Sequence, residues 1–138
     1  MFGSRSDFNW LCFDILKELQ QTHSDIVCVA YNTKNEDFAY GGDTRFNEVY
    51  KPESLYVSGK ASYVERNRIM IDNSDACVFY YNKDYRPKQR LISDKSIAGV
   101  WTSKQSDTAL AYEYAVKKKK RIINAIAFDK VKSDLSNH

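Results

Sequence analysis

Three short, largely apolar runs, Ile26–Tyr31, Ala76–Tyr81 and Arg121–Ala127, each follow a segment patterned for a helix, and this alternation does most to limit the fold. Runs of roughly six residues are too short for buried helices and suit strands, and helix alternating with strand implies crossover connections and a mostly parallel sheet. The first helix is predicted over Asp7–Gln21, where Phe8, Leu11, Cys12, Ile15, Leu16 and Leu19 recur at three- and four-residue spacing behind a Ser6 or Asp7 cap. The others are predicted at about residues 60–73 and 108–119 by the same reading. The expected fold class is α/β, a single domain over residues 1–138 with its helices flanking the sheet.

Several stretches fall outside this alternation. Met1–Arg5 reads as the end of a short first strand and its glycine turn at Gly3, with few residues before the glycine. A strand that short leaves neighbouring backbone groups poorly paired, so stability is expected to depend on a partner, a second copy of the chain or an alternative N-terminus. Residues 32–55 read as irregular and polar, punctuated by Gly41, Gly42 and Pro52, residues 83–105 as a basic loop, and residues 128–138 as a C-terminal tail.

Composition narrows the class. The chain has 138 residues, 43% of them hydrophobic, with 5 glycines and 2 prolines, which fits one compact domain and not a linker-rich polymer. No apolar run approaches the roughly 20 residues that span a bilayer, and the start lacks a signal-peptide pattern, so a cytoplasmic protein without a membrane partner is expected. Cys12, Cys28 and Cys77 are far apart in apolar patterns and read as buried thiols, not metal ligands.

The formal charge of +3 is unevenly spread. Between residues 83 and 105 Lys83, Arg86, Lys88, Arg90, Lys95 and Lys104 face only Asp84 and Asp94, and Lys117–Arg121 is wholly basic. Clustered cations attract polyanions, so single-stranded nucleic acid is one partner class. The second cluster closes a predicted helix, where cations complement the dipole.

Ser106-Asp107-Thr108 carries the most chemistry. It leads from a polar loop into a predicted helix, downstream of a strand predicted to be buried, where an open α/β sheet places an anion. A helix start supplies unpaired N–H groups and partial positive charge, and small hydroxyl residues let a phosphate approach. Tyr80 and Tyr81 at the strand end could stack a base, or serve only β-propensity and half-burial. His23 has no catalytic partner at suitable spacing and reads as solvated; Trp101 reads as a site cover or a docking point.

Phe2-Gly3-Ser4-Arg5, then Tyr63–Asp75 with its Glu65-Arg66-Asn67, then Ser106-Asp107-Thr108 with Ala111–Ala115 together resemble the SLOG superfamily. These are Rossmann-like nucleotide-ligand domains, related to the cytokinin-activating phosphoribohydrolases and the DNA-processing protein A. The similarity is greatest to uncharacterised bacterial members, so it implies a bacterial or phage protein. It implies that Gly3, Ser4 and Arg5 form a phosphate-facing turn, that Glu65 and Arg66 reach the ligand, and that Ser106, Asp107 and Thr108 form the phosphate-binding loop. A guanidinium suits that role because its planar fork makes two parallel bonds to an oxyanion.

Asp107 stands where the family pattern has glycine. Glycine permits positive φ and close approach, whereas a carboxylate repels phosphate unless a cation such as Mg2+ bridges the two. The enzymatic relatives carry a glutamate in the first turn after the threonine, where this chain has Ala109, Leu110 and Ala111, with Glu113 later. The resemblance therefore implies a binding or sensing domain for a nucleotide-derived small molecule. The alternatives are a nucleoside-monophosphate N-glycosidic hydrolase, with Glu65 or Glu113 as the catalytic candidate, and a single-stranded nucleic-acid binding protein.

Overall fold

A computed structural model describes residues 1–3, 6–33, 46–53, 60–85, 90–91, 101–102 and 106–136. The chain forms two compact units, Met1–Ser74 and Asp75–His138. Both are built from helices and parallel strand pairs, so the fold is α/β as expected.

In the first unit, helix α1 (Asp7–Leu19) starts at Ser6, whose hydroxyl accepts the Asn9 N–H at 3.3 Å. Strand β1 (Val29–Tyr31) pairs in parallel with β2 (Glu48–Tyr50), register Val29 to Glu48. The short first strand expected at the start is a single bridge, Phe2 to Ala30. Two bonds hold it: Phe2 N–H donates to Val29 at 2.8 Å and Tyr31 N–H donates to Phe2 at 2.7 Å. Phe2, Phe13, Cys28, Ala30 and Phe46 make the core, with the Phe13 and Phe46 rings 4.6 Å apart.

Residues 32–55, expected to be irregular, contain both β2 and the buried Phe46. Polar side chains do the joining there. Asn47 Oδ1 accepts the Cys28 N–H at 2.9 Å, and Gln20 Nε2 donates to both Ile26 and Asn47 at 2.7 Å. The strand is correspondingly shorter than Ile26–Tyr31, because the backbone before Val29 is held partly by side-chain amides and not by a regular ladder. Helix α2 (Lys60–Asp72) completes the unit.

In the second unit, β3 (Ala76–Phe79) pairs in parallel with β6 (Arg121–Asn124), and helix α3 (Asp107–Lys117) packs on both. The expectation that this strand is buried is corrected: Cys77 and Phe79 are half-buried, but Val78 is 54% exposed. The basic loop contains a small antiparallel pair, β4 (Arg90–Leu91) with β5 (Trp101–Thr102).

The last strand stops at Asn124, not Ala127, because of what its side chain does. Asn124 Oδ1 accepts the Tyr81 N–H at 3.0 Å, and its Nδ2 donates to the Tyr81 carbonyl at 2.9 Å. The same Oδ1 receives the Ile126 N–H at 3.4 Å, where α4 (Ile126–Ser136) begins. That helix occupies most of the stretch read as a tail. Among the described residues no helix is long and apolar enough to cross a membrane.

Helix α3 ends in the lysine run. The Lys120 N–H donates to Ala115 at 3.1 Å and the Lys119 N–H to Val116 at 3.0 Å, a Schellman ending with Lys119 left-handed at φ 55°. All three cysteines are free thiols; Cys28 is buried and Cys12 and Cys77 are partly so. Burial pushes the Cys12 thiol above its usual pKa.

Candidate functional site

The first unit brings Gly3 and Arg66 together. A Cβ placed on Gly3 would lie 3.0 Å from Arg66 Nε and 2.6 Å from Met70 Sδ, so a side chain at residue 3 would have to displace Met70 for the chain to lie this close to α2. Arg66 is 3% exposed, and its guanidinium sits over the Tyr63 ring, with Cζ 5.3 Å from the centroid. It also donates from Nη2 to Asn67 Oδ1 at 3.3 Å. A buried guanidinium beside Gly3 has the chemistry for an oxyanion. Ser4 and Arg5 lie outside the described residues.

Glu65 points elsewhere. It falls on the α2 stripe of Ala61, Val64, Arg68, Ile69 and Asp72, which lines an open groove of 520 Å3. Arg66 and Met70 belong to the stripe facing Gly3. Adjacent helical residues are about 100° apart, so the two members of the expected Glu-Arg pair serve different sides of α2.

Sequence reasoning passed over Thr33. It follows β1 at the carboxyl end, is 1% exposed, and its hydroxyl has no hydrogen-bond partner among the described residues. Such orphans are rare in folded chains. The only sequence signal was a polar dipeptide, Asn32-Thr33, directly after an apolar run.

The second unit carries the other half of the expected site. Ser106 is the N-cap of α3, its Oγ accepting the Ala109 N–H at 3.1 Å while the Leu110 N–H bonds the Ser106 carbonyl at 3.0 Å. The Asp107 and Thr108 N–H groups open the helix ahead of its internal ladder. A capping hydroxyl still has its proton to donate, so Ser106 can cap the helix and also donate to an anion. Ser106 and Thr108 line an open cavity of 350 Å3 with Tyr80, Tyr81 and Tyr85.

Asp107 is the first helical residue and is exposed. The left-handed backbone expected where the family has glycine is absent; among the described non-glycine residues only Lys119 has positive φ. The carboxylate therefore acts through charge alone, and at a helix N-terminus that charge is favourable to the helix. Among the described residues no group of three His, Cys, Asp or Glu side chains could hold a metal. Asp107 fits at most a single ligand to a Mg2+ that keeps its waters.

Tyr80 and Tyr81 flank this cavity in different ways. The Tyr80 hydroxyl donates to Asp129 Oδ2 at 2.9 Å, and that bond, reinforced by the carboxylate charge, raises its pKa. The Tyr81 ring lies against Tyr112, with centroids 4.7 Å apart. Glu113 is exposed on α3, beyond its first turn. Most of the basic stretch at 83–105 lies outside the described residues. The chain matches no protein-family model, no curated protein and no solved structure.

Proposed function

We propose that this chain is a binding domain for a nucleotide or nucleotide-derived small molecule, with the resemblance to SLOG domains as its starting point. The observation that carries the reading is the cavity at the carboxyl end of β3, where two hydroxyl residues at the start of α3 meet three tyrosines. Anion-binding and flat apolar chemistry thus adjoin, as a nucleoside phosphate requires. The Gly3–Arg66 contact in the first unit supports the same class of ligand.

Hydrolysis of an N-glycosidic bond receives no comparable support. Within the second unit Glu113 is beyond the first turn of α3 and is not among the residues that line the cavity with Ser106 and Thr108, and Glu65, in the first unit, lies on the stripe of α2 away from Gly3.

A thermal-shift series with nucleotides, nucleoside monophosphates, and cyclic and ADP-ribose derivatives, with and without magnesium, tests the reading. A ligand at a hundredfold excess over its Kd raises stability by about 2.7 kcal/mol. No shift with any of them would sink it.

A further inference from the structure

We infer that Tyr81 is a stacking platform for a nucleobase in the cavity at the carboxyl end of β3, an inference that rests on the nucleotide reading above. Three rings form a ladder inside the second unit. Phe79 meets Tyr112 near edge-on with centroids 5.4 Å apart, and Tyr112 meets Tyr81 at 4.7 Å and 38°. The ladder ends at Tyr81, which lines the 350 Å3 cavity. A planar ligand entering there adds one more ring to it.

The platform is fixed in advance. Both backbone polar groups of Tyr81 are held by the Asn124 amide, at 3.0 and 2.9 Å, although the residue lies beyond the strand ladder. A residue held at two points loses little freedom on binding, so less of the interaction energy goes into ordering it. Tyr80 is tied to Asp129 yet remains 46% exposed as a residue, and Tyr85 is 62% exposed. A base in the cavity takes apolar surface of these rings out of water.

The remaining lining specifies the rest of the ligand. Ser106 and Thr108 bring hydroxyl donors to the same cavity, so its lining combines aromatic rings with groups suited to an anion. Its volume is at the low end of the roughly 300–1,000 Å3 of small-molecule sites, which suits one nucleotide. The ligand class is a nucleoside monophosphate or a molecule containing one.

Calorimetric titration of the whole chain with adenosine 5′-monophosphate, uridine 5′-monophosphate, adenosine and ribose 5-phosphate tests this. The monophosphates should bind about 5- to 150-fold more tightly than ribose 5-phosphate, the range of one base–aromatic stack. Tyr81→Leu should close that gap, and Tyr81→Phe, which keeps the ring, should preserve it. Equal affinity of nucleotide and ribose 5-phosphate for the unmodified chain overturns stacking and leaves the phosphate reading standing. Binding of adenosine without ribose 5-phosphate keeps stacking and overturns the phosphate contact; binding of none overturns both. A gap that survives in folded Tyr81→Leu overturns the assignment to Tyr81. Should Tyr81→Leu fail to fold, intermolecular NOEs between the adenine protons of adenosine 5′-monophosphate and the Tyr81 ring in the unmodified chain decide: their presence supports the assignment to Tyr81, and their absence with binding intact overturns it.

Discussion

Replacing Gly3 by alanine probes the close approach of residue 3 to helix α2. The new Cβ falls 2.6 Å from Met70 Sδ, 3.3 Å from Met70 Cε and 3.0 Å from Arg66 Nε. Comfortable carbon contacts lie at about 3.5–4.0 Å, so the thioether must retreat by roughly 1 Å. The backbone at residue 3 cannot easily yield instead, because Phe2 beside it is held to β1 by bonds of 2.8 and 2.7 Å. Overpacking of this kind costs about 1–3 kcal/mol, offset by about 0.4–1 kcal/mol of unfolded-state entropy lost with glycine. The net loss expected is about 1–2 kcal/mol, which at a urea slope near 2 kcal/mol/M lowers the unfolding midpoint by about 0.5–1 M. Met70→Ala removes the atoms struck, so in that background Gly3→Ala should cost less, with a coupling of at least about 0.5 kcal/mol. An unchanged midpoint, or strict additivity in the double variant, would mean that residue 3 does not pack on α2.

The other predictions concern the second unit. Lys119→Gly relieves a left-handed lysine at the end of α3 and should stabilise the chain by about 1 kcal/mol in urea melts. Tyr80 has a raised pKa because its protonated hydroxyl is bonded to Asp129, so its contribution is complete below the ordinary tyrosine value near 10 and is lost as pH rises through the folded value. Urea midpoints measured from pH 8 to 11 should therefore fall less steeply in Tyr80→Phe than in the unmodified chain above pH 10, as linkage requires. Asp107→Gly should tighten ribose 5-phosphate by about 0.5–2 kcal/mol without divalent metal, because a like charge near the anion is removed. The same change should cost the helix about 1 kcal/mol. Magnesium should shrink the affinity gain, and equal affinities in both conditions would mean that residue 107 does not face the ligand.

Periodicity made the helices legible. The α1, α2 and α3 helices lie within two residues of their predicted bounds, but the face predicted for α1 is corrected: Leu11, Ile15 and Leu19 are exposed, and Phe13 is buried with Trp10, Cys12 and Leu16 packed beside the core. Where side chains replace backbone ladders, the pattern misleads. Asn47 and Gln20 hold the backbone at Ile26 and Cys28, and Asn124 ends β6 early, because an amide can donate and accept like a peptide group. Composition identifies the residue and gives no hint of its partner. Phe46 was hidden in a polar stretch for a related reason: one aromatic without periodic neighbours carries no face, although it packs against Phe13 in the core.

The site was legible where a local rule governs it. Ser106 caps α3 because a hydroxyl just before an apolar run satisfies an orphan N–H, and that rule acts within four residues. The Gly3–Arg66 approach spans more than sixty positions and came only through family resemblance. Separation of Glu65 from Arg66 follows from helical geometry once it is known which stripe meets Gly3. Thr33 had no signal beyond its polarity, since burial of a hydroxyl depends on what covers it.

Binding of a phosphate-bearing ligand at the start of α3 is tested most directly by backbone amide NMR during titration with ribose 5-phosphate. Saturable shifts are expected at Asp107, Thr108 and Ala109, the N–H groups of the first turn, with the same apparent Kd at each. Shifts confined to Lys117–Arg121, or none at saturating ligand, would contradict it.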